Sequence, residues 1–161
     1  MDDTESPEPD ENHALQGATD RAALVTIRDI ITEIEPLATP HLDDYLHPSV
    51  LEVTLADGIG DAKSARIDIV WTTQDNYKFH YTDSAGVNLR WGKHPHNGDY
   101  PVPDLEHYHP PPDASSTPDD VEASCIEQTP EELVARAVFK LWRVGYHADS
   151  YDRLNDGRNP P

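Results

Sequence analysis

Four of the nine histidines fall within sixteen residues near the middle of the chain, in two His-x-His pairs. The first pair is His94 and His96, and the second is His107 and His109. Imidazole titrates near pH 6.5, so one histidine can accept a proton while another donates one. Arg90 comes shortly before the first pair, and a guanidinium can hold a phosphate. These residue types favour acid–base cleavage of a phosphodiester, with His107 and His109 moving protons and Arg90, with His94 or His96, holding the phosphate.

The same four histidines also permit a metal site. Imidazole is a common zinc ligand, so His94, His96, His107 and His109 are candidate ligands, and Asp99 or Glu106 could complete a tetrahedral set in which not all four take part. However, the spacing matches neither a zinc finger nor a His-Glu-x-x-His helix. A third interpretation is that histidine, proline and tyrosine serve only turn formation and packing here. The residues alone leave these three interpretations open, with no cofactor expected under the first and zinc under the second.

Two helices are predicted to flank the segments that carry these residues. Apolar residues recur at helical spacing from Leu24 to Ile34, which predicts a helix at about 20–35 that ends before Pro36. A second helix is predicted from Thr129 as N-cap, with Pro130 at the first helical position and a capping box completed three residues after Thr129. Gly145 is expected to end it.

Four strands are predicted between the helices, at 50–55, 65–72, 77–81 and 87–91. The short turns that join them indicate an antiparallel meander, and residues 41–48 are interpreted as a connector. Residues 92–128 hold seven of the fifteen prolines and show no sustained periodicity, so they are predicted to form a long His/Pro-rich functional loop. The expected fold is therefore α+β, a two-layer sandwich in which both helices cover one face of the sheet.

The chain length fits one domain with loose ends. Residues 1–18 are acidic and aperiodic and are predicted to be a disordered arm. Residues 19–147 are predicted to form a single domain, and residues 148–161 a flexible tail.

The composition is strongly acidic, with 31 acidic against 12 basic residues and a formal net charge of −19. Only four residues are lysines, and the charge is spread along the chain, a pattern typical of proteins from salt-rich cytoplasm. We therefore expect a halophilic protein. The single cysteine, Cys125, the lack of a long apolar run and the acidic start favour a cytoplasmic protein with no membrane segment.

One face of the predicted sheet concentrates the scarce positive charge. Alternation along the strands places six polar residues on the face that the helices leave free: Arg66, Asp68, Lys78, His80, Asn88 and Arg90. Such clustering favours phosphate binding and predicts an RNA surface. An alternative is that these residues only pair with each other, for example Arg66 or Lys78 with Asp68.

Three further residues extend this predicted RNA surface. Lys93 adds a positive charge beside the first histidine pair. Tyr81 and Tyr108 could stack on bases or assist proton transfer.

The order of motifs resembles the TumE family of toxin–antitoxin proteins, and its haloarchaeal branch in particular. The resemblance rests on residues 77–81, on the Leu-Arg-Trp step at 89–91, on the His-Pro-His step at 94–96 and on the His-x-His-Pro run at 107–110. It implies a toxin that acts on RNA, with family positions at Arg90, His94, His96, His107 and His109. It also implies a cognate antitoxin, expected to be a helix-turn-helix DNA-binding protein. Where many members carry an Arg-Tyr-Asp-Asn-like step, this chain has Arg-Trp-Gly-Lys at 90–93, so no carboxylate is expected there.

The sequence thus predicts a toxin that cleaves RNA by metal-independent acid–base chemistry. The alternative is a non-catalytic, histidine-rich module that binds a protein partner and is stabilised by zinc. An enzyme acting on small molecules has no support in the sequence.

Overall fold

The structure is a computed structural model that describes residues 15–95, 106–127 and 129–156. It confirms the α+β class. The two helices are α1 (Arg21–Ile34) and α2 (Glu131–Ala148). The strands, in chain order, are β1 (Ala38–Leu42), β2 (Leu51–Leu55), β3 (Ala65–Trp71), β4 (Tyr77–Asp83), β5 (Asn88–Lys93), β6 (Glu106–His109) and β7 (Glu122–Ala123).

Helix α1 forms where the apolar spacing predicted it. The Asp20 carboxylate caps its first turn by accepting a hydrogen bond from the Ala23 amide at 3.0 Å. Leu24, Ile27 and Ile31 are fully buried on the face that packs against α2 and the sheet. The amphipathic stripe therefore fixes which side of α1 faces the core.

Helix α2 differs from its prediction at both ends. Its N-cap is Pro130, whose carbonyl accepts hydrogen bonds from the next turn, and no side chain caps the helix, so the Thr129 capping box is wrong. The helix also continues past Gly145 and ends at Asp149, which adopts the left-handed conformation with φ 53°. Gly145 has a packing role instead, because a Cβ there would lie 2.8 Å from Leu154 Cδ2.

The sheet has seven strands, not four, and each strand pairs antiparallel with the next along the chain. The predicted strands correspond to β2 through β5. Strand β1 lies partly in the predicted connector, and β6 and β7 lie within the predicted loop, so the four-stranded meander was too small.

One face of the sheet and the two helices share a single apolar core. Alternate residues of β3 to β5 are buried in this core, and five of them are aromatic: Ile67, Ile69, Trp71, Tyr77, Phe79, Tyr81, Leu89 and Trp91. The two-layer arrangement follows, and the opposite face carries the polar residues. No helix among the described residues is long and apolar enough to cross a bilayer.

The ends of the chain make more contacts than predicted. Residues 1–14 of the predicted arm lie outside the described residues, but the Gln16 amide donates to Asn76 Oδ1 at 3.1 Å. The predicted tail folds back on the core, where Leu154 is buried and its carbonyl accepts a hydrogen bond from Trp91 Nε1 at 2.9 Å. Leu154 and its backbone thus pack on the core, within the segment predicted to be a flexible tail.

Asp83 joins the sheet to this C-terminal segment. Its buried carboxylate accepts hydrogen bonds from the hydroxyls of Tyr81 (2.7 Å) and Tyr151, and from the amides of Ala85 (2.9 Å) and Val87 (3.2 Å). Burial together with this carboxylate raises the pKa of both tyrosines. One side chain thus holds the β4–β5 turn and the C-terminal segment together.

We expect Asp83→Ala to lower the free energy of unfolding by about 3 kcal/mol, because it leaves buried donors without their charged acceptor. Chemical denaturation at fixed salt measures this loss. Asp119→Ala, at an exposed turn position, serves as the control, and equal stability of the two variants would contradict the assigned role.

Candidate histidine-cluster site

Strand β6 pairs with β5 inside the segment predicted to be a loop. The register sets His109 opposite Arg90 and His107 opposite Gly92. Residues two apart on a strand face the same way, so both histidines project from the free face of the sheet while Tyr108 projects into the core. Pairing between strands therefore unites Arg90 with the second histidine pair, as the sequence analysis required.

This register extends a line of polar residues across four strands. Asp68 of β3, His80 of β4, Arg90 of β5 and His109 of β6 stand opposite one another in turn. With neighbouring strands about 4.8 Å apart, the line spans roughly 14 Å. The next line along the strands contains Lys78, Gly92 and His107.

Three histidine rings converge at the β6 end of these lines. His94, which follows β5, folds back so that its Nε2 lies 2.8 Å from Nε2 of His107. The rings of His107 and His109 have centroids 5.0 Å apart. One ring nitrogen from each of the three lies within 4.8 Å of the others, and all three side chains are buried. We call these three residues the histidine cluster.

Backbone carbonyls orient two rings of the cluster. His109 Nδ1 lies 2.8 Å from the Ser115 carbonyl oxygen, and His94 Nδ1 lies 3.1 Å from the Pro95 carbonyl oxygen. A carbonyl only accepts hydrogen bonds, so each Nδ1 must carry the hydrogen. In a neutral ring this leaves Nε2 as the atom with a free lone pair.

Arg90 closes the cluster on the β5 side. Its Nη2 donates to the Ser116 hydroxyl at 3.1 Å and lies 3.4 Å from His109 Nε2. The chain after β6 passes over this face, since the Pro112 carbonyl also accepts a hydrogen bond from the Asn88 amide. Sequence reasoning missed Ser115 and Ser116, because a serine pair in an irregular segment carries no signal of its partners.

The remaining cations of the free face are more exposed. Arg66 forms an ion pair with Asp68 at 2.8 Å, with side-chain exposures of 54% and 33%. This ion pair raises the pKa of Arg66 and compensates part of its charge. Lys78 and His80 are half-buried beside Arg90.

Several predicted site residues lie elsewhere. Tyr81 and Tyr108 are buried on the core side, where neither ring can stack on a base. Alternation sets Lys93 on the face of Trp91, opposite to Arg90. His96 and Asp99 lie outside the described residues.

His80 links stability to pH. Its pKa is lowered mainly by burial, with smaller opposing effects from its hydrogen bond to Asn88 and from Asp68, and further lowering by Arg90 and Lys78. The unfolded chain therefore binds a proton more readily than the folded one, and stability falls as the pH drops below about 6.5 towards the lower pKa of the folded state. We expect His80→Gln to show a shallower loss between pH 7 and 5 in denaturation experiments. An unchanged slope would contradict this role.

Comparison with known proteins bears on the same part of the chain. No curated protein and no solved structure matches this chain. A protein-family model described as Toxin TumE matches residues 27–139, which is more than two thirds of the chain. Among the described residues, the match covers the second half of α1, strands β1 to β7, the histidine cluster and the first half of α2. The chain therefore belongs to the TumE toxin family.

Proposed function

We propose that this toxin acts by cleaving RNA, with the RNA backbone bound on the free face of the sheet and the reaction taking place at the histidine cluster. The observation that carries the proposal is the in-register line in which half-buried His80 and buried Arg90 and His109 connect the more exposed part of the free face to three closely spaced imidazoles. Phosphate binding and proton transfer both need groups of these types. The proposal keeps Arg90, His94, His107 and His109 in the roles expected from the sequence.

Arg66, Lys78 and His80 would contact the phosphates. In a chain with a net charge of −19, long-range attraction of RNA is weak, so binding depends on close contacts. The lowered pKa of His80 leaves its ring mostly neutral near pH 7, which suits hydrogen bonding to a phosphate or a 2′-hydroxyl more than charge pairing. Arg66 and Lys78 would supply the charge.

The burial of the histidine cluster limits how its rings could take part in RNA cleavage. His107 and His109 are no more than 1% exposed, and their nitrogens face His94, Arg90 and the Ser115 carbonyl. An acid–base pair whose two rings reach opposite sides of a phosphate would have to be more exposed to solvent than His107 and His109 are. The geometry therefore supports the cluster acting as a unit more than it supports an isolated acid–base pair.

We expect the purified protein to cut a mixed-sequence RNA in molar salt, and His107→Ala with His109→Ala to abolish cutting. The matched control replaces the exposed His41 and His147 by alanine and should retain full activity. Gel separation of labelled fragments measures the rate, with circular dichroism to verify folding. Cutting by the folded cluster variant would refute the proposal.

A lysine substitution tests whether RNA binds on the free face of the sheet. The RNA is the one used in the cutting experiment. Lys78→Gln is expected to weaken binding several-fold and to reduce its dependence on salt, because one phosphate contact is lost. Lys63→Gln, an exposed lysine in the β2–β3 connection, should bind like the unchanged protein. Equal weakening by both would indicate diffuse charge instead of a site.

A second candidate is a non-catalytic module that binds a protein partner. The observation in its favour is the near-complete burial of the three rings, which suits a stabilising role. Growth arrest by the toxin together with unaltered RNA would favour this candidate.

Membership of a toxin family implies an antitoxin, and we propose that it is a helix-turn-helix DNA-binding protein. A groove of about 480 Å³ between the end of α1 and helix α2 is suited to it. Its lining combines the apolar side chains of Ile34, Leu133 and Phe139 with three of the twelve basic residues: Arg136, Lys140 and Arg143. Glu35 pairs with Arg143, which leaves a net positive rim that an acidic amphipathic helix of the antitoxin would fit.

Co-expression tests this contact with the product of the neighbouring gene. The unchanged toxin should stop growth alone and be neutralised by that product, whereas Arg136→Glu with Lys140→Glu should escape neutralisation. Lys63→Glu with Arg153→Glu gives the same charge change at other exposed positions and should remain neutralised. Neutralisation of both variants would show that the antitoxin binds elsewhere.

A further inference from the structure

The histidine cluster has the geometry of a metal site. Three imidazoles, two from β6 and one that follows β5, each place one ring nitrogen within 4.8 Å of the other two. In a tetrahedral zinc site with Zn–N bonds of 2.0–2.1 Å, ligand nitrogens lie about 3.3 Å apart. The Nε2 atoms of His94 and His107, at 2.8 Å, need to separate by only about half an ångström to reach this spacing.

The hydrogen bonds around the cluster favour ligation. A metal-binding histidine usually donates its other ring N–H to a carbonyl or carboxylate, which fixes the tautomer and aims the lone pair at the metal. The Ser115 and Pro95 carbonyls occupy these positions at His109 and His94. The orientation is thus already set for the Nε2 atoms to bind an ion.

The contact between His94 and His107 supports the same conclusion. If the Nδ1 of His94 carries a hydrogen, its Nε2 is an acceptor, so the 2.8 Å contact needs a hydrogen on His107 Nε2. A divalent ion would take the place of that single shared proton and would be bound by both nitrogens.

We propose that His94, His107 and His109 bind one divalent transition-metal ion of the zinc type. Imidazole nitrogens favour zinc and its first-row neighbours, whereas magnesium and calcium prefer oxygen ligands. Three protein ligands leave a coordination position for a further group.

Arg90 indicates what that further group is. Its guanidinium lies 3.4 Å from His109 Nε2, so it would repel a bare cation in the cluster. An anion shared between the ion and the guanidinium removes this repulsion, and a phosphate oxygen is such an anion. This last step rests on the proposed RNA function, whereas metal binding itself does not.

Metal binding is tested on the full chain without RNA. The protein is stripped with chelator in molar salt and titrated with ZnCl₂ by calorimetry and with CoCl₂ by visible absorption. We expect one equivalent of each ion to bind, cobalt to give absorption bands of a four- or five-coordinate site, and zinc to raise the melting temperature.

Variants decide whether the cluster is the site. His94→Gln and His109→Gln should each weaken zinc binding at least tenfold, whereas His41→Ala with His147→Ala should bind as the unchanged protein does. His94 lies past the end of β5, so this variant is expected to fold even if changes on β6 do not. Absence of stoichiometric binding, or equal loss in the control, would overturn the site.

A separate assay distinguishes the metal site from the RNA function. RNA cutting is compared in chelator and after addition of one equivalent of zinc. Cutting that depends on zinc would support the shared phosphate. Stoichiometric zinc with unaltered RNA would retain the metal site and refute the RNA proposal, and full cutting in chelator would overturn the role of the ion in the reaction.

Discussion

The pairing of β6 with β5 is the constraint on which the histidine cluster depends. A slip of one residue would turn His107 and His109 towards the helices and Tyr108 towards the free face. Tyr108 is buried against Trp91, with ring centroids 5.9 Å apart, so this slip would expose a large aromatic surface and bury two imidazoles in an apolar core. Apolar packing on one side of the sheet therefore selects the register that assembles polar chemistry on the other.

Gly92 makes room for this assembly. It lies between Lys78 and His107 in its line across the sheet, and a Cβ there would already be 3.7 Å from the His94 ring. Any longer side chain would project into the space that His94 occupies. A small residue at this position therefore leaves room for His94 to fold back towards β6.

The elements that show a regular spacing of apolar residues could be predicted from the sequence. The elements that are defined by pairing with a neighbouring strand were missed. Strands β2 to β5 alternate clearly, and α1 has a clean apolar stripe. Strand β6 alternates as well, but its free-face residues are histidines and its run is only four residues long, so no apolar pattern marks it. Strand β1 contains Pro40, which is tolerated because β1 pairs on one side only.

The residues of the candidate site also fall into those that could be predicted from the sequence and those that could not. Arg90 and the second histidine pair were predicted from residue type alone, since imidazoles beside a guanidinium suggest phosphate chemistry wherever the chain folds them together. The orienting carbonyl of Ser115 and the hydroxyl of Ser116 could not be predicted, because they act through position. Tyr81 was included in the RNA surface although its own alternation with Phe79 indicated the core, which is where Asp83 binds its hydroxyl.

Exposure along the polar line limits how a ligand can approach the cluster. Arg66 and Asp68 retain 54% and 33% of their side-chain exposure, His80 is half-buried, and His109 is only 1% exposed. Among the described residues, exposure along the line therefore increases with distance from β6. At molar salt, where screening leaves only contacts within about 3 Å effective, a phosphate must touch these side chains to be held. A chain that binds there places its next phosphate towards Arg90, so the gradient of exposure itself would direct the substrate to the buried imidazoles.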